Sequence, residues 1–423
     1  MRFGILTQYY PPEMGAPQAR LSELAARFVD HGHEVTVLTA MPNYPTGKIR
    51  PGYGGLFRRD AMEGVGVKRC WIYPSNSVHR LPRLASYASF VASSTALGAF
   101  MLPRPDYFLT ESPPLFLGIS GYVLARLKRA RWIFNVSDLW PESAVRLGMI
   151  GRGAALELAE RLEAWCYRKA WLVSGQSVGI LADIHARFPG VPTYHLSNGV
   201  DTTMFTPEAR QPALRCGLGD PDECVVMYAG LHGIAQGLDQ VLETAYRIDS
   251  QLRTRFVFVG DGPEKRGLIG KARDLGLRNV SFLDPVPRQD IPALLNAADI
   301  AVVPLKLDLP GAVPSKLYEA MAVGIPIVFV GEGEPAAIVR ETKSGLVVRP
   351  GNVSDLEAAV RRLAADPEFR AECGNNGRRA AIERFDRRRI ADAFIAYLED
   401  RLGSNRTMQT ATQYASAAKS AGD

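Results

Sequence analysis

The feature that most constrains this chain is an alternation that runs through it twice. β-rich runs at residues 3–7, 34–39, 67–72, 107–110, 132–137 and 171–174 alternate with helical patterns. After Asn198-Gly199-Val200-Asp201 and a polar, proline-containing stretch at 206–223, a second series starts at 225–229, 256–259, 280–283, 300–303, 327–330 and 345–348. Strands alternating with helices imply parallel sheets with crossover helices. Residues 21–31 illustrate one such βαβ unit, with apolar positions at helical spacing and His31-Gly32-His33 closing the turn. At 423 residues and 47% hydrophobic content the chain buries more than one core, because single cores stop growing at roughly 250–300 residues. The expected fold class is therefore α/β, with two Rossmann-like domains at 1–200 and 201–385. An amphipathic helix at 386–402 should dock back on the body. Residues 403–423 are small and polar without an apolar period, a composition that predicts disorder.

A formal net charge of +6 and a pI near 9.0 favour an anionic partner: nucleic acid, a phosphorylated substrate or an acidic membrane surface. The basic residues are not interleaved with an aromatic recognition motif, which argues against nucleic acid. Cys70, Cys166, Cys216, Cys224 and Cys373 are scattered and form no C-x-x-C pair, so a reducing cytoplasm fits best. The first apolar run is too short for a secretory signal. Residues 84–103 carry no charge and match a bilayer crossing in length, yet Ser86, Ser89, Ser93, Ser94 and Thr95 make a weak span. They read as a helix inside or against the first domain. With Arg80 and Arg83 before it and Arg126, Lys128, Arg129 and Arg131 further on, the same region also suits docking on anionic lipid.

The most specific motif is Pro314-Ser315-Lys316-Leu317-Tyr318-Glu319-Ala320-Met321-Ala322-Val323-Gly324-Ile325-Pro326. Proline at its start and glycine at its end mark a short helix leading into a buried strand. Unpaired N–H groups at that helix start, with Lys316 in the first turn, make a diphosphate site. A lysine there opposes the helix dipole, so either a bound anion or plain solvation of a surface lysine explains it. Two glycine turns, Gly230 to Gly233 and Gly260-Asp261-Gly262-Pro263, follow successive strands, where α/β sheets bind ligands. Either turn alone is ordinary loop chemistry. Three strand-end turns on one sheet edge outline a nucleotide pocket. The sole D-x-D, Asp220-Pro221-Asp222, lies in the polar stretch and reads as a turn.

The order Tyr228-Ala229-Gly230, Gly260-Asp261-Gly262-Pro263, Pro314 to Ala322 and Gly324-Ile325-Pro326 resembles the GT-B glycosyltransferases of glycosyltransferase family 4, over nearly the whole chain. Asp138-Leu139-Trp140-Pro141-Glu142-Ser143 and Ala235-Gln236-Gly237-Leu238 narrow the likeness to the bacterial subgroup that builds O-antigens, capsules and exopolysaccharides, including fucosaminyl- and fucosyltransferase-like members. The resemblance implies two domains facing across a cleft. It also implies transfer from a nucleoside diphosphate sugar with retention, with no cofactor and no catalytic metal. It places Glu319 on the donor ribose, Ser315 and Lys316 on the diphosphate, and Gly230, Gly233, Gly260 and Gly262 around the donor. Gly15, after Pro11-Pro12-Glu13-Met14, matches the glycine loop of the first domain, and Val286 marks a base-side wall.

Three departures stand out. Gly311 occupies a position where many members have Glu, with Asp308 nearby. Leu231 and Gln236 stand where many have Arg and Lys, which shifts leaving-group stabilisation to Lys316, helix N–H groups and His232. Asp138 replaces a frequent His. Asp138 and Glu142, one turn apart, suit a carboxylate pair that polarises an acceptor hydroxyl, or Asp138 simply caps a helix. The resemblance also implies a glycan or polyprenyl-diphosphate-linked glycan acceptor, met by a cytoplasmic enzyme peripheral on the cytoplasmic face of the inner membrane. A sugar-nucleotide epimerase and a non-catalytic two-domain ligand-binding protein are the competing readings.

Overall fold

The computed structural model describes residues 1–420 except 14, 78, 147, 149–150, 249–251 and 307–310. An eight-stranded sheet contains β1 (Arg2–Leu6), β2 (Glu34–Ala40), β3 (Phe57–Met62), β4 (Val65–Cys70), β5 (Tyr107–Ser112), β6 (Arg131–Val136), β7 (Leu172–Gly175) and β8 (Thr193–His195). Its strand order is β3-β4-β2-β1-β5-β6-β7-β8. A six-stranded sheet contains β9 (Cys224–Ala229), β10 (Thr254–Val259), β11 (Val280–Leu283), β12 (Ile300–Pro304), β13 (Ile327–Val330) and β14 (Gly345–Val348). Here the order is β11-β10-β9-β12-β13-β14. By compactness the chain forms two units, Met1–Ile133 with Arg388–Asp423, and Phe134–Arg387. Residue 200, near which the second series of strands begins, thus lies inside the second unit, where Val200 N–H donates to the Phe385 carbonyl at 2.8 Å and Arg387 N–H to that of Val200 at 3.0 Å.

In the first unit, β1 pairs in parallel with both β2 and β5, Ile5 standing opposite Val37 and Leu109. One edge departs from the parallel pattern: β3 runs antiparallel to β4. Their two-residue turn puts Glu63 at φ 50 and Gly64 at φ 77, the left-handed pair that matches hairpin twist. Arg58, Arg59 and Asp60 make β3 polar, which suits an edge strand. The helix Arg387–Ser420 packs Phe394 against Phe28 at 6.4 Å, while Arg27 holds Asp392 through two bonds of 2.6 and 2.9 Å. It continues past residue 403, where composition predicts disorder.

In the second unit, alternate residues of the six-stranded sheet face two cores. Val225, Met227, Val257, Val259, Ala301 and Val303 join one cluster, and Val226, Tyr228, Phe256, Phe258, Ile300 and Val302 the other. A parallel sheet covered on both faces reads as continuous apolar runs, which is why these strands stand out in the sequence. The chain builds outward from β9 through β10 to β11, then returns to β12 on the other side of β9. That reversal opens a crevice between the carboxyl ends of β9 and β12.

Candidate active site

The β9–β12 crevice gathers most of the residues singled out for a donor. Gly230, directly after β9, has φ +146, and Gly260, after β10, has φ +135. A Cβ on Gly260 would stand 2.0 Å from the Gly230 carbonyl oxygen, so only glycine lets the two loops lie together. Gly230 N–H donates to the Val259 carbonyl at 2.9 Å and His232 N–H to that of Asp261 at 2.8 Å. Gly262 lies against the His232 backbone, and Gly233 precedes the short 3₁₀ turn Ile234–Gln236. Val286, beyond β11, is half-buried against the core.

From the other side comes the helix Ser315–Val323, entered through extended Pro314 and ended by left-handed Gly324. Leu317, Tyr318, Ala320 and Met321 anchor it in one core, whereas Tyr228 belongs to the opposite one. Lys316 joins the two faces over the end of β9: its Nζ donates to the Tyr228 hydroxyl at 3.1 Å and sits 4.8 Å from the centre of that ring. It passes so close to Gly230 that a Cβ there would lie 2.6 Å from Nζ. Burial lowers the Lys316 pKa to about 8, with Glu319, one turn on, opposing the shift. Ser315 and Glu319 are half-buried on the same first turns.

His232 lies under the loop. Its ring is fully buried, 5.7 Å from Tyr228 and 6.4 Å from Phe258 and Phe282. Burial first, then the charge of Lys265, lowers its pKa, so it is a neutral packing ring at pH 7.

The other predicted residues are dispersed. Gly15 begins the helix Ala16–Asp30 after β1, in extended backbone that a Cβ would drive into the Gln18 side chain. Asp138 follows β6 and accepts bonds from the Ser143 hydroxyl and the Leu139 N–H, while burial raises its pKa. Glu142 is occupied elsewhere, pairing with Arg146 at 2.8 Å on an open surface. The two carboxylates therefore have separate partners. Asp308 and Met14 lie outside the described residues. Among the described residues no cluster of three His, Cys, Asp or Glu is placed to hold a metal ion.

Residues 15–199 match the family described as "Glycosyl transferase 4-like domain", and residues 218–380 that described as "Glycosyl transferases group 1". The chain belongs to the GT-B glycosyltransferases of family 4. This family 4 transferase is 29% identical over 374 residues to the "Putative colanic acid biosynthesis glycosyl transferase WcaI" of Escherichia coli K12, covering 85% of this chain and 91% of that protein. It is 28% identical over 311 residues to a "GDP-mannose-dependent alpha-(1-6)-phosphatidylinositol monomannoside mannosyltransferase" of Mycolicibacterium smegmatis, covering 66% of this chain and 81% of the relative. Among solved structures, sucrose-phosphate synthase from Thermosynechococcus elongatus shares its fold with a TM-score of 0.73 at 19% identity, covering 96% of this chain and 99% of that one. Anabaena HepE, solved in complex with UDP and glucose, matches at 0.70 and 20% identity, covering 95% and 100%.

Several residues that organise the transferase are not evident from its motifs. Glu13 is buried and accepts N–H bonds from Asn43 and Tyr44 at 2.8 Å and from Tyr10 at 3.3 Å, so it fastens the Pro-Pro-Glu loop to the end of β2. Arg20 and Glu111 form a 2.5 Å ion pair with side chains only 6% and 3% exposed, between the first helix and β5. Gly311 has φ +73, and a Cβ there would lie 2.8 Å from Ile180 N and 2.9 Å from the Ser177 hydroxyl. No side chain fits at this position. An acid directly after a Pro-Pro pair was the available signal for Glu13; nothing local marks Arg20 or Glu111.

Proposed function

We propose that this transferase moves a sugar, with retention, from a nucleoside diphosphate sugar to a glycan acceptor carried on a polyprenyl diphosphate, in bacterial surface polysaccharide assembly. The observation that carries the reading is the Lys316 amine at the β9–β12 crevice, with a phenol behind it and glycine beside it. As the bond from the sugar C1 to the diphosphate oxygen breaks, negative charge grows on the leaving group, and fixed donors aimed at it supply the largest catalytic term. Lys316 and the N–H groups of its helix are those donors, and they provide the charge a metal would otherwise bring. The acceptor oxygen bonds C1 on the face the diphosphate leaves, and its proton passes to the departing phosphate oxygen. Glu319 accepts from the ribose hydroxyls, Ser315 meets the diphosphate, and the glycine loops admit the donor with Val286 on the base side. Gly15 gives a ligand close access to the backbone beyond β1. Asp138, whose pKa is raised, suits contact with the acceptor hydroxyl better than Glu142, which Arg146 already occupies.

The polysaccharide context draws support from the likeness to WcaI, and a UDP sugar from the ligand in the HepE structure. The mannosyltransferase relative keeps GDP sugars in play. A lipid-linked acceptor is consistent with helix Arg80–Met101. Its stretch Leu81–Met101 is long and apolar enough to cross a membrane, with a mean hydropathy of 1.3. It is also tied to its own unit, through Ser94 to Ser120 at 3.0 Å and through Gly98 against Leu38 and Leu124. Leu81 is 80% exposed and Phe100 89%, with Ile119 and Leu127 also exposed and Arg126 and Arg129 close in sequence. We take these exposed apolar and basic residues to support docking on anionic lipid at the cytoplasmic side of the inner membrane. The test is turnover of a panel of UDP, GDP and dTDP sugars with and without polyprenyl-diphosphate glycans. Product that forms only with the acceptor, and keeps the donor's anomeric configuration, supports the reading; inversion or acceptor-independent turnover contradicts it.

A further inference from the structure

We propose that Tyr228 is the positioning residue that keeps the Lys316 amine protonated and aimed at the donor diphosphate, an inference that rests on the Lys316 role above. The phenol has one proton, and it is committed: Tyr228 Oη donates to the Leu231 carbonyl at 2.5 Å. Toward Lys316 the same oxygen can only accept, at 3.1 Å. A neutral amine with its lone pair facing Tyr228 would find no donor there, whereas the ammonium finds an acceptor and, 4.8 Å away, the face of the ring. One of three ammonium protons is thereby fixed. Two remain for diphosphate oxygens.

The loop geometry follows from the same arrangement. What Leu231 contributes is its backbone carbonyl, which orients the phenol. Gly230 leaves the gap through which the lysine reaches. The groups that face the amine are Tyr228 on β9, Glu319 on its own helix and His232 in the loop. Burial raises the Tyr228 pKa, so the phenol does not ionise in the range where Lys316 titrates.

The experiment measures binding of UDP, GDP and dTDP by calorimetry to full-length wild type, Tyr228→Phe and Lys316→Ala from about pH 6 to about pH 9. Wild-type affinity should fall as pH rises through about 8. In Tyr228→Phe, which keeps the ring and loses the acceptor, the fall should begin about one pH unit lower, leaving binding about tenfold weaker than wild type near pH 8.5. At about pH 6 the two should agree within a factor of about three, since the lysine is protonated in both. A merely structural lesion would weaken binding at every pH, and that result, or a Tyr228→Phe profile coincident with wild type, overturns the inference. If Lys316→Ala is weak and independent of pH while Tyr228→Phe is unshifted, the Tyr228 role alone fails. If Lys316→Ala binds as wild type does, the reading beneath it fails as well.

Discussion

The ends of β1 and β9 are the same place in two sheets, and they treat charge in opposite ways. Beyond β1, Glu13 is saturated by three backbone N–H groups, and Arg20 is paired with Glu111. Beyond β9, Lys316 meets a neutral phenol, and its pKa falls to about 8. Charges met by backbone donors or by an opposite charge hold structure in shape; a desolvated charge without a full counter-charge lowers stability and is kept where a ligand supplies the missing partner. On the function proposed above, the first arrangement is scaffolding and the second is a site.

The sharpest way to break this comparison is to truncate a residue on each side. Glu111→Ala removes the carboxylate from a buried guanidinium and should cost about 3–5 kcal/mol in denaturant unfolding. A loss below about 1 kcal/mol would mean that the pair is not structural. Lys316→Ala should do the reverse, lowering kcat/KM for the donor about 10²- to 10³-fold, by analogy with the loss of a single oxyanion donor, while the melting temperature holds or rises. A thermal destabilisation with intact turnover would place Lys316 among the scaffold charges. Gly230→Ala sets a methyl in the path of Nζ at φ +146 and should weaken nucleoside diphosphate binding about tenfold; unchanged affinity would show that the amine is not held where Gly230 leaves room. The smallest effect belongs to Glu142→Gln. An exposed i,i+4 pair contributes about 0.3–0.5 kcal/mol, so stability and turnover should stay within about threefold of wild type while Asp138→Asn lowers turnover further. Equal losses in the two variants would restore the carboxylate pair.

Most of the architecture was legible because its strands are buried on both faces: 225–229, 256–259 and 300–303 stand out as unbroken apolar runs. β3 escaped because an edge strand needs no apolar pattern, and Arg58, Arg59 and Asp60 disguise it. The glycine loops and the lysine-bearing helix could be read from local chemistry, since each motif is contiguous. Tyr228 could not be tied to Lys316, because 88 residues separate partners that only the sheet order brings together. The burial of His232, which the resemblance implies for leaving-group stabilisation, was hidden for a related reason: packing of the β9 and β10 loops turns its ring inward against Phe258 and Phe282.

The most direct test of Lys316 as the diphosphate cation is the proton balance of binding, measured by calorimetry near pH 8 in buffers of different ionisation enthalpy. With a free-enzyme pKa of about 8 the amine is about half protonated there, and an anion binding beside it raises that pKa. Wild type should take up about half a proton per nucleoside diphosphate bound, and Lys316→Ala none. Equal uptake by the two proteins, at equal affinity, would contradict the account.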